Sequence, residues 1–241
     1  MKNYKIIISY DGNYFHGFQK QPSNPTVQET IEKALNKLLI DYELTYAGRT
    51  DAGVHAKFQV LSIVTSEVIT DSFKGSFNAL VGKHIYIKKI VLVKRDFHPR
   101  YDAKSRTYKY LINTPENYEP YNLGYSHFTP NELSVSDLNN IGAVFLGSNN
   151  YSNLSKLRKG QSPIRDITAS KWTKNNQYYI YTITGNSFLH NMVRSIIGVQ
   201  LAVFENKIQY SSLKSSLKRP LEERFKYVVP AEGLYLWKIK Y

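Results

Sequence analysis

The apolar pattern opens with a short β-branched run, Tyr4 to Tyr10, that ends at Asp11-Gly12 and reads as a strand with a turn signal. Thr26-Val27-Gln28-Glu29 then opens a helix: Thr26 can cap free amides, and Glu29 can complete a capping box. Ile31, Leu35, Leu38 and Leu39 carry helical spacing to about Ile40. Glu43 to Ala47 and Gln59 to Ser66 predict the next two strands, with a glycine-flanked loop between them. Asp71 can cap a second helix running through Leu80, and Ile85 to Val93 predicts a fourth strand. This order, β-α-β-β-α-β, is the ferredoxin-like arrangement.

The remainder repeats that order loosely. Arg106 to Ile112 predicts a strand and Ser136 to Phe145 a capped helix. Ile164 to Trp172 and Tyr178 to Thr184 form a strand pair turning at Asn175-Asn176. Leu189 to Phe204 predicts a long helix, Ser211 to Leu217 a short one, and Leu234 to Ile239 a closing strand. The expected class is α+β: two ferredoxin-like halves, residues 1–103 and 104–241, forming one long mixed, mainly antiparallel sheet with helices on one face. Two stretches escape the periodicity. Asn113 to Asn131 is rich in Pro, Asn and Tyr, and Gly147 to Pro163 carries Lys156, Arg158 and Lys159. Long basic loops on a compact domain serve either as binding elements or as mobile surface, and both readings stay open.

Composition adds a partner class to this outline. With 42% hydrophobic residues the 241-residue chain can pack a core, so global disorder is excluded. Lys and Arg number 32 against 19 acids, a net charge of +13, which suits a polyanion whose counterions are released on binding. Twenty tyrosines interleave with those cations. Aromatic rings of this kind can stack on unpaired RNA bases, although most strand tyrosines are simply core. The open sheet face would then be available for RNA. The absence of cysteine removes disulfides, thiolate nucleophiles and sulfur-based zinc sites. The six histidines show no i, i+3 or i, i+4 pairing, so no metal is expected. The run Ile6-Ile7-Ile8 is too short for a signal peptide and no later run reaches membrane-spanning length, so a cytoplasmic protein is expected.

The sharpest feature is Gly48-Arg49-Thr50-Asp51-Ala52-Gly53-Val54-His55-Ala56, a turn that sets glycines on both sides of one carboxylate. Glycine permits close backbone approach, and Arg49 can lie beside the carboxylate or reach a phosphate. A carboxylate in a concave site stays ionised only with cations or hydrogen-bond donors around it. On spacing alone, an ordinary Asp-Gly turn with an incidental salt bridge is the better reading.

The whole block, however, resembles the signature loop of the TruA family of tRNA pseudouridine synthases at all nine positions. Further segments are similar to that family along nearly the whole chain. They include Tyr10-Asp11-Gly12, Phe18-Gln19-Lys20-Gln21, Phe97-His98-Pro99-Arg100-Tyr101 and Ser105-Arg106-Thr107-Tyr108-Lys109-Tyr110. Phe188 to Arg194 with Gly198, and Gly233-Leu234-Tyr235-Leu236, complete the set. The resemblance implies that Asp51 is the catalytic aspartate and that Arg49 displaces or holds the target nucleotide. It implies that Tyr108 packs on the uracil, that Arg194 pairs with the aspartate and that Leu234 lines the pocket. Read without the resemblance, Tyr108 is a core tyrosine, Arg194 an interhelix ion pair and Leu234 ordinary packing.

The implied activity is isomerisation of uridine to pseudouridine in the anticodon stem-loop of tRNA, by a homodimer and without a cofactor. The alternatives are a synthase acting on another RNA, such as ribosomal RNA, and an RNA-binding paralogue that no longer catalyses. Two departures bear on that choice. Phe18 stands where the family usually has Trp, and Asn149-Asn150-Tyr151 stands where members often have His-Asp-Phe. The loop after that triplet lacks the usual Arg, which bears on RNA contacts in the C-terminal half.

Overall fold

The computed structural model describes residues 1–241 and divides into two compact units, Met1–Lys104 with Tyr235–Tyr241, and Ser105–Leu234. In chain order the first holds β1 (Lys2–Tyr10), α1 (Val27–Leu38), β2 (Glu43–Tyr46), β3 (His55–Thr65), α2 (Asp71–Val81) and β4 (Ile85–Val93). The second holds β5 (Ser105–Asn113), β6 (His127–Phe128), α3 (Val135–Gly142), β7 (Gly147–Asn150), β8 (Ile164–Lys174), β9 (Tyr179–Gly185), α4 (Met192–Phe204) and α5 (Tyr210–Ser216). The last strand, β10 (Leu234–Lys240), takes Tyr235–Tyr241 into the first unit instead of the half in which chain order puts it. It does so because Tyr235 and Leu236 pair in parallel with His55 and Ala56 of β3.

In the first unit β3 is central: β1 and β2 lie antiparallel to it and β4 lies antiparallel to β1. This is the ferredoxin-like strand order that the β-α-β-β-α-β pattern predicts. Alternate β1 residues Tyr4, Ile6, Ile8 and Tyr10 are buried, as expected of a strand with one face on a core. The buried stripes Val27-Ile31-Ala34-Leu35 of α1 and Phe73-Phe77-Val81 of α2 belong to the same core. Thr26 Oγ1 accepts from the Glu29 amide at 3.3 Å, so the predicted N-cap forms, while the Glu29 carboxylate lies 2.6 Å from Lys33 Nζ. The α2 cap is Thr70, not Asp71, and its side chain makes no capping bond. Asp71 sits one residue inside, in the first turn, where a carboxylate still favours the positive helix end.

The second unit orders its strands β5-β9-β8-β7, antiparallel throughout, with β6 parallel to β5. Its core carries a buried polar network. Trp172 Nε1 donates to Gln200 Oε1 at 2.9 Å, and the Ser170 and Tyr181 hydroxyls meet at 2.7 Å. Burial drives the Tyr181 phenol far above its ordinary range, so it stays neutral. Asn139 of α3 completes the free edge of β8: it donates to the Trp172 carbonyl at 3.0 Å and accepts from its amide at 2.8 Å.

The α+β class and the mainly antiparallel pairing agree with the sequence pattern, while several element ends move. β3 begins at His55 rather than Gln59: β10 pairs with His55 and Ala56, and Tyr10 of β1 also pairs with Ala56. The predicted Leu189–Phe204 helix starts at Met192 after Asn191 adopts a left-handed conformation (φ 62°), and Ser136–Phe145 divides into α3 and a 3-10 turn. The stretch Gly147–Pro163, which has no periodicity, opens with β7, an edge strand registered from Gly147↔Ile167 to Asn150↔Ile164.

Candidate active site

Asp51 sits half-buried in the turn between β2 and β3, and this turn is clamped from three directions. From β1, the Tyr10 hydroxyl meets Thr50 Oγ1 at 2.8 Å. From the loop after β1, the Phe18 amide donates to the Thr50 carbonyl at 3.0 Å. From β3, the buried Gln59 side chain donates to the Gly48 carbonyl at 2.9 Å. The turn itself closes through Val54 N to Asp51 O at 3.2 Å, with Gly53 at φ 78°. The carboxylate is therefore carried by backbone that has little freedom left.

Two glycines make that clamp possible. A Cβ on Gly12 would lie 2.4 Å from the Val54 carbonyl, closer than any real contact. Gly17 combines φ +88° with a would-be Cβ only 2.9 Å from Thr50 O, a conformation and a proximity that only glycine tolerates cheaply. The Gly12 amide also donates to His55 Nδ1 at 3.0 Å. The His55 ring, 2% exposed, stacks on Tyr235 at 4.6 Å and 16°. His55 thus serves as a structural post of the block. Arg49 is exposed beside Asp51 in sequence, and its Nε lies 3.4 Å from the Tyr46 hydroxyl. Phe18, the residue that departs from the family's Trp, is fully buried with its ring 4.6 Å from Tyr46.

The other three predicted residues belong to the second unit. Tyr108 is half-buried on β5, its ring edge-on to Phe188 at 5.2 Å, while Tyr110 two residues on is fully buried and donates to the Pro230 carbonyl at 2.9 Å. Burial pushes the Tyr110 phenol far above its usual range. Of the two tyrosines, Tyr110 is the core residue and Tyr108 the more accessible one. Arg194 lies in the first turn of α4, half-buried, with Nε donating to the Val229 carbonyl at 2.8 Å. Leu234 is 5% exposed and its amide donates to Ala231 O at 2.9 Å. The segment from Val229 to Leu234 thereby brings Arg194, Tyr110 and Leu234 together.

The structure also explains the altered triplet. Tyr151 is fully buried and donates to the Phe145 carbonyl at 2.9 Å, and Asn149 Nδ2 donates to the Leu146 carbonyl at 3.1 Å. Asn150 Oδ1 accepts from the Ser152 amide at 2.9 Å. All three positions are held by internal bonds.

A family model described as tRNA pseudouridine synthase matches residues 6–102 and 142–241, and the chain belongs to that family. The matched ranges contain Arg49, Asp51, Arg194 and Leu234 but stop short of Tyr108. Whole-chain relatives cover that gap. The tRNA pseudouridine synthase A of Borreliella burgdorferi (strain B31) is 37% identical over 245 residues, covering 100% of both chains. Proteins of the same name from Borrelia garinii subsp. bavariensis and Borrelia duttonii are 36% and 34% identical, again with 100% of both chains covered. No helix of the chain is long and apolar enough to cross a membrane.

Proposed function

We propose that this chain isomerises uridine to pseudouridine on the 3′ side of the anticodon stem-loop of tRNA, with Asp51 as the reacting carboxylate. The observation that carries this reading is the intact Gly48–Ala56 block, held rigid by Tyr10, Gln59 and the close approach of Gly12, in a chain of this family. Such rigidity suits chemistry in which a carboxylate must meet one sugar carbon, because small misplacements of a reacting group are costly.

The reaction breaks the N1–C1′ bond, turns the uracil over and joins C5 to C1′; the C5 proton leaves to solvent and N1 gains one. Nothing is oxidised and no group moves between molecules, so no cofactor is called for. Asp51 either attacks C1′, giving a covalent sugar ester, or removes the 2′ proton, giving a glycal. Within this reading Tyr108 holds the freed uracil, Arg194 is the aspartate's partner, and Leu234 lines the pocket. Arg49 holds the displaced nucleotide. Extruding the base costs roughly a few kcal/mol, which cationic and aromatic contacts to the RNA can offset. The working unit is a homodimer acting in the cytoplasm.

The target is tested by treating unmodified tRNA transcripts with the purified protein and mapping pseudouridine by position. Modification confined to the 3′ side of the anticodon stem-loop is expected. Modification only elsewhere in tRNA, or only in ribosomal RNA, overturns the assignment of target. Sedimentation of the purified chain tests the dimer.

A further inference from the structure

Lys156, in the basic stretch Gly147–Pro163, is tied by its amide to the His190 carbonyl at 3.0 Å, just before α4. Beside this tie lies a cleft of about 450 Å³, walled by Ser155 and Lys156, by Asn191 and Ser195 at the start of α4, and by the strap Glu223–Val228. All of its walls belong to the second unit and none carries a role in the reaction above.

The cleft is a built feature. Asn153, 3% exposed, fastens the strap in both senses: its Nδ2 donates to the carbonyls of Leu221 and Glu223 at 3.3 and 3.0 Å, and its Oδ1 accepts from the Leu221 amide at 3.0 Å. Arg224 is anchored next, with Nη1 donating to the Ser155 carbonyl at 2.9 Å. That single bond leaves the rest of a five-donor guanidinium to serve a ligand.

Three features of the wall favour an anion. Lys156, Arg224 and Lys226 face one carboxylate, Glu223, whose nearest charge is Lys226 at 3.9 Å. The 13-residue helix α4 presents its N-terminus here, and the Asn191 side chain makes no capping bond, so the positive end of the helix dipole also favours an anion. Ser195 is 4% exposed and lines the cleft. A serine hydroxyl can donate to an anion placed there.

We propose that this cleft is a phosphate subsite for the RNA backbone, with Lys156 and Lys226 as its charges, Arg224 as its fork and Ser195 as a hydroxyl donor. The proposal rests on the reading of the substrate as RNA. A cleft of this size admits one phosphodiester with part of its flanking riboses, and Phe225 and Val228 offer the sugars an apolar surface. Contacts of this kind fix register on the RNA without reading sequence.

The test measures the affinity of the full chain for a tRNA transcript over a range of salt concentrations. Each phosphate contact contributes about 0.7–0.9 to the slope of log K against log salt. The Lys156→Gln/Lys226→Gln pair should make the slope shallower by about 1–2 and weaken binding about tenfold at low salt, by the same relation. The charge-matched pair Lys33→Gln/Lys37→Gln on α1 should change neither by as much. Ser195→Asp should also weaken binding tenfold or more; should that variant unfold by circular dichroism, Ser195→Ala replaces it with a threefold loss expected. Slopes equal to wild type, or shifts no larger than those of the α1 pair, overturn the proposal. A variant that loses stabilisation by inorganic phosphate yet keeps the wild-type slope would assign the cleft to free phosphate and overturn it too. Pseudouridine formation at saturating tRNA separates the two readings. Turnover with unchanged slopes sinks only the subsite, and altered slopes on a protein that forms no pseudouridine sink only the catalytic assignment.

Discussion

Two loops of this chain differ in how closely their main chain is enclosed. The Asp51 turn joins adjacent strands and is tightly packed: the Thr50 and Gly48 carbonyls accept from the Phe18 amide and the Gln59 side chain, and Gly12 and Gly17 let the neighbouring main chain close on it. The stretch from Gly147 to Pro163 is open at Gly147 and Gly160, where an added Cβ would meet nothing within 4 Å, and is fastened at Asn153, which grips residues 68 to 70 positions away. Close enclosure fixes a reacting group in one place. An open stretch leaves the exposed Lys156, Arg158 and Lys159 accessible to a flexible polyanion, and suits binding more than chemistry.

That contrast breaks most visibly at Gly12. In Gly12→Ala the new Cβ meets the Val54 carbonyl at 2.4 Å, so the turn must move. We expect a loss of about 3 kcal/mol in urea unfolding and roughly a hundredfold fall in turnover, since displacements of about 1 Å cost that much. Asn153→Ala should cost about 2–3 kcal/mol through its lost bonds, while turnover at saturating tRNA stays within about threefold because the Asp51 turn is untouched. Equal losses of turnover in the two variants would erase the distinction. Tyr10→Phe removes one buried bond to Thr50 and should cost about 1 kcal/mol.

The smallest effect expected is a pH effect in the second unit. Burial, opposed by Glu232, holds the His127 imidazole below its ordinary range. The unfolded chain therefore binds that proton first, and stability falls as pH drops through the ordinary histidine range toward the lowered native value. His127→Gln should flatten this part of the melting-temperature profile, and an unchanged profile would show that another group carries it.

What the sequence reveals follows the same divide. The strands and helices of the first unit are legible because each is signalled locally, by β-branched runs, Thr26 and helical spacing. The start of β3 is not, because its first residue, His55, takes its partner Tyr235 from the far end of the chain. β7 is hidden for a related reason: Gly147-Ser148-Asn149-Asn150 has no strand composition and is extended by its pairing with β8. In the site, nine clustered residues make the Asp51 block legible. The roles of His55 as a stacked post and Gln59 as a carbonyl anchor emerge only once β10 and β3 are in place. No local pattern announces the cleft beside α4, because its walls come from three separated segments.

Most directly at stake is the carboxylate. The decisive measurement is tritium release from a tRNA transcript labelled at C5 of uridine, comparing wild type with Asp51→Ala and the near-isosteric Asp51→Asn. Wild type should release tritium as pseudouridine forms. Both variants should bind the transcript with wild-type affinity and salt dependence, yet release nothing above background. Release by either variant at the wild-type rate would contradict the assignment of Asp51 as the reacting group.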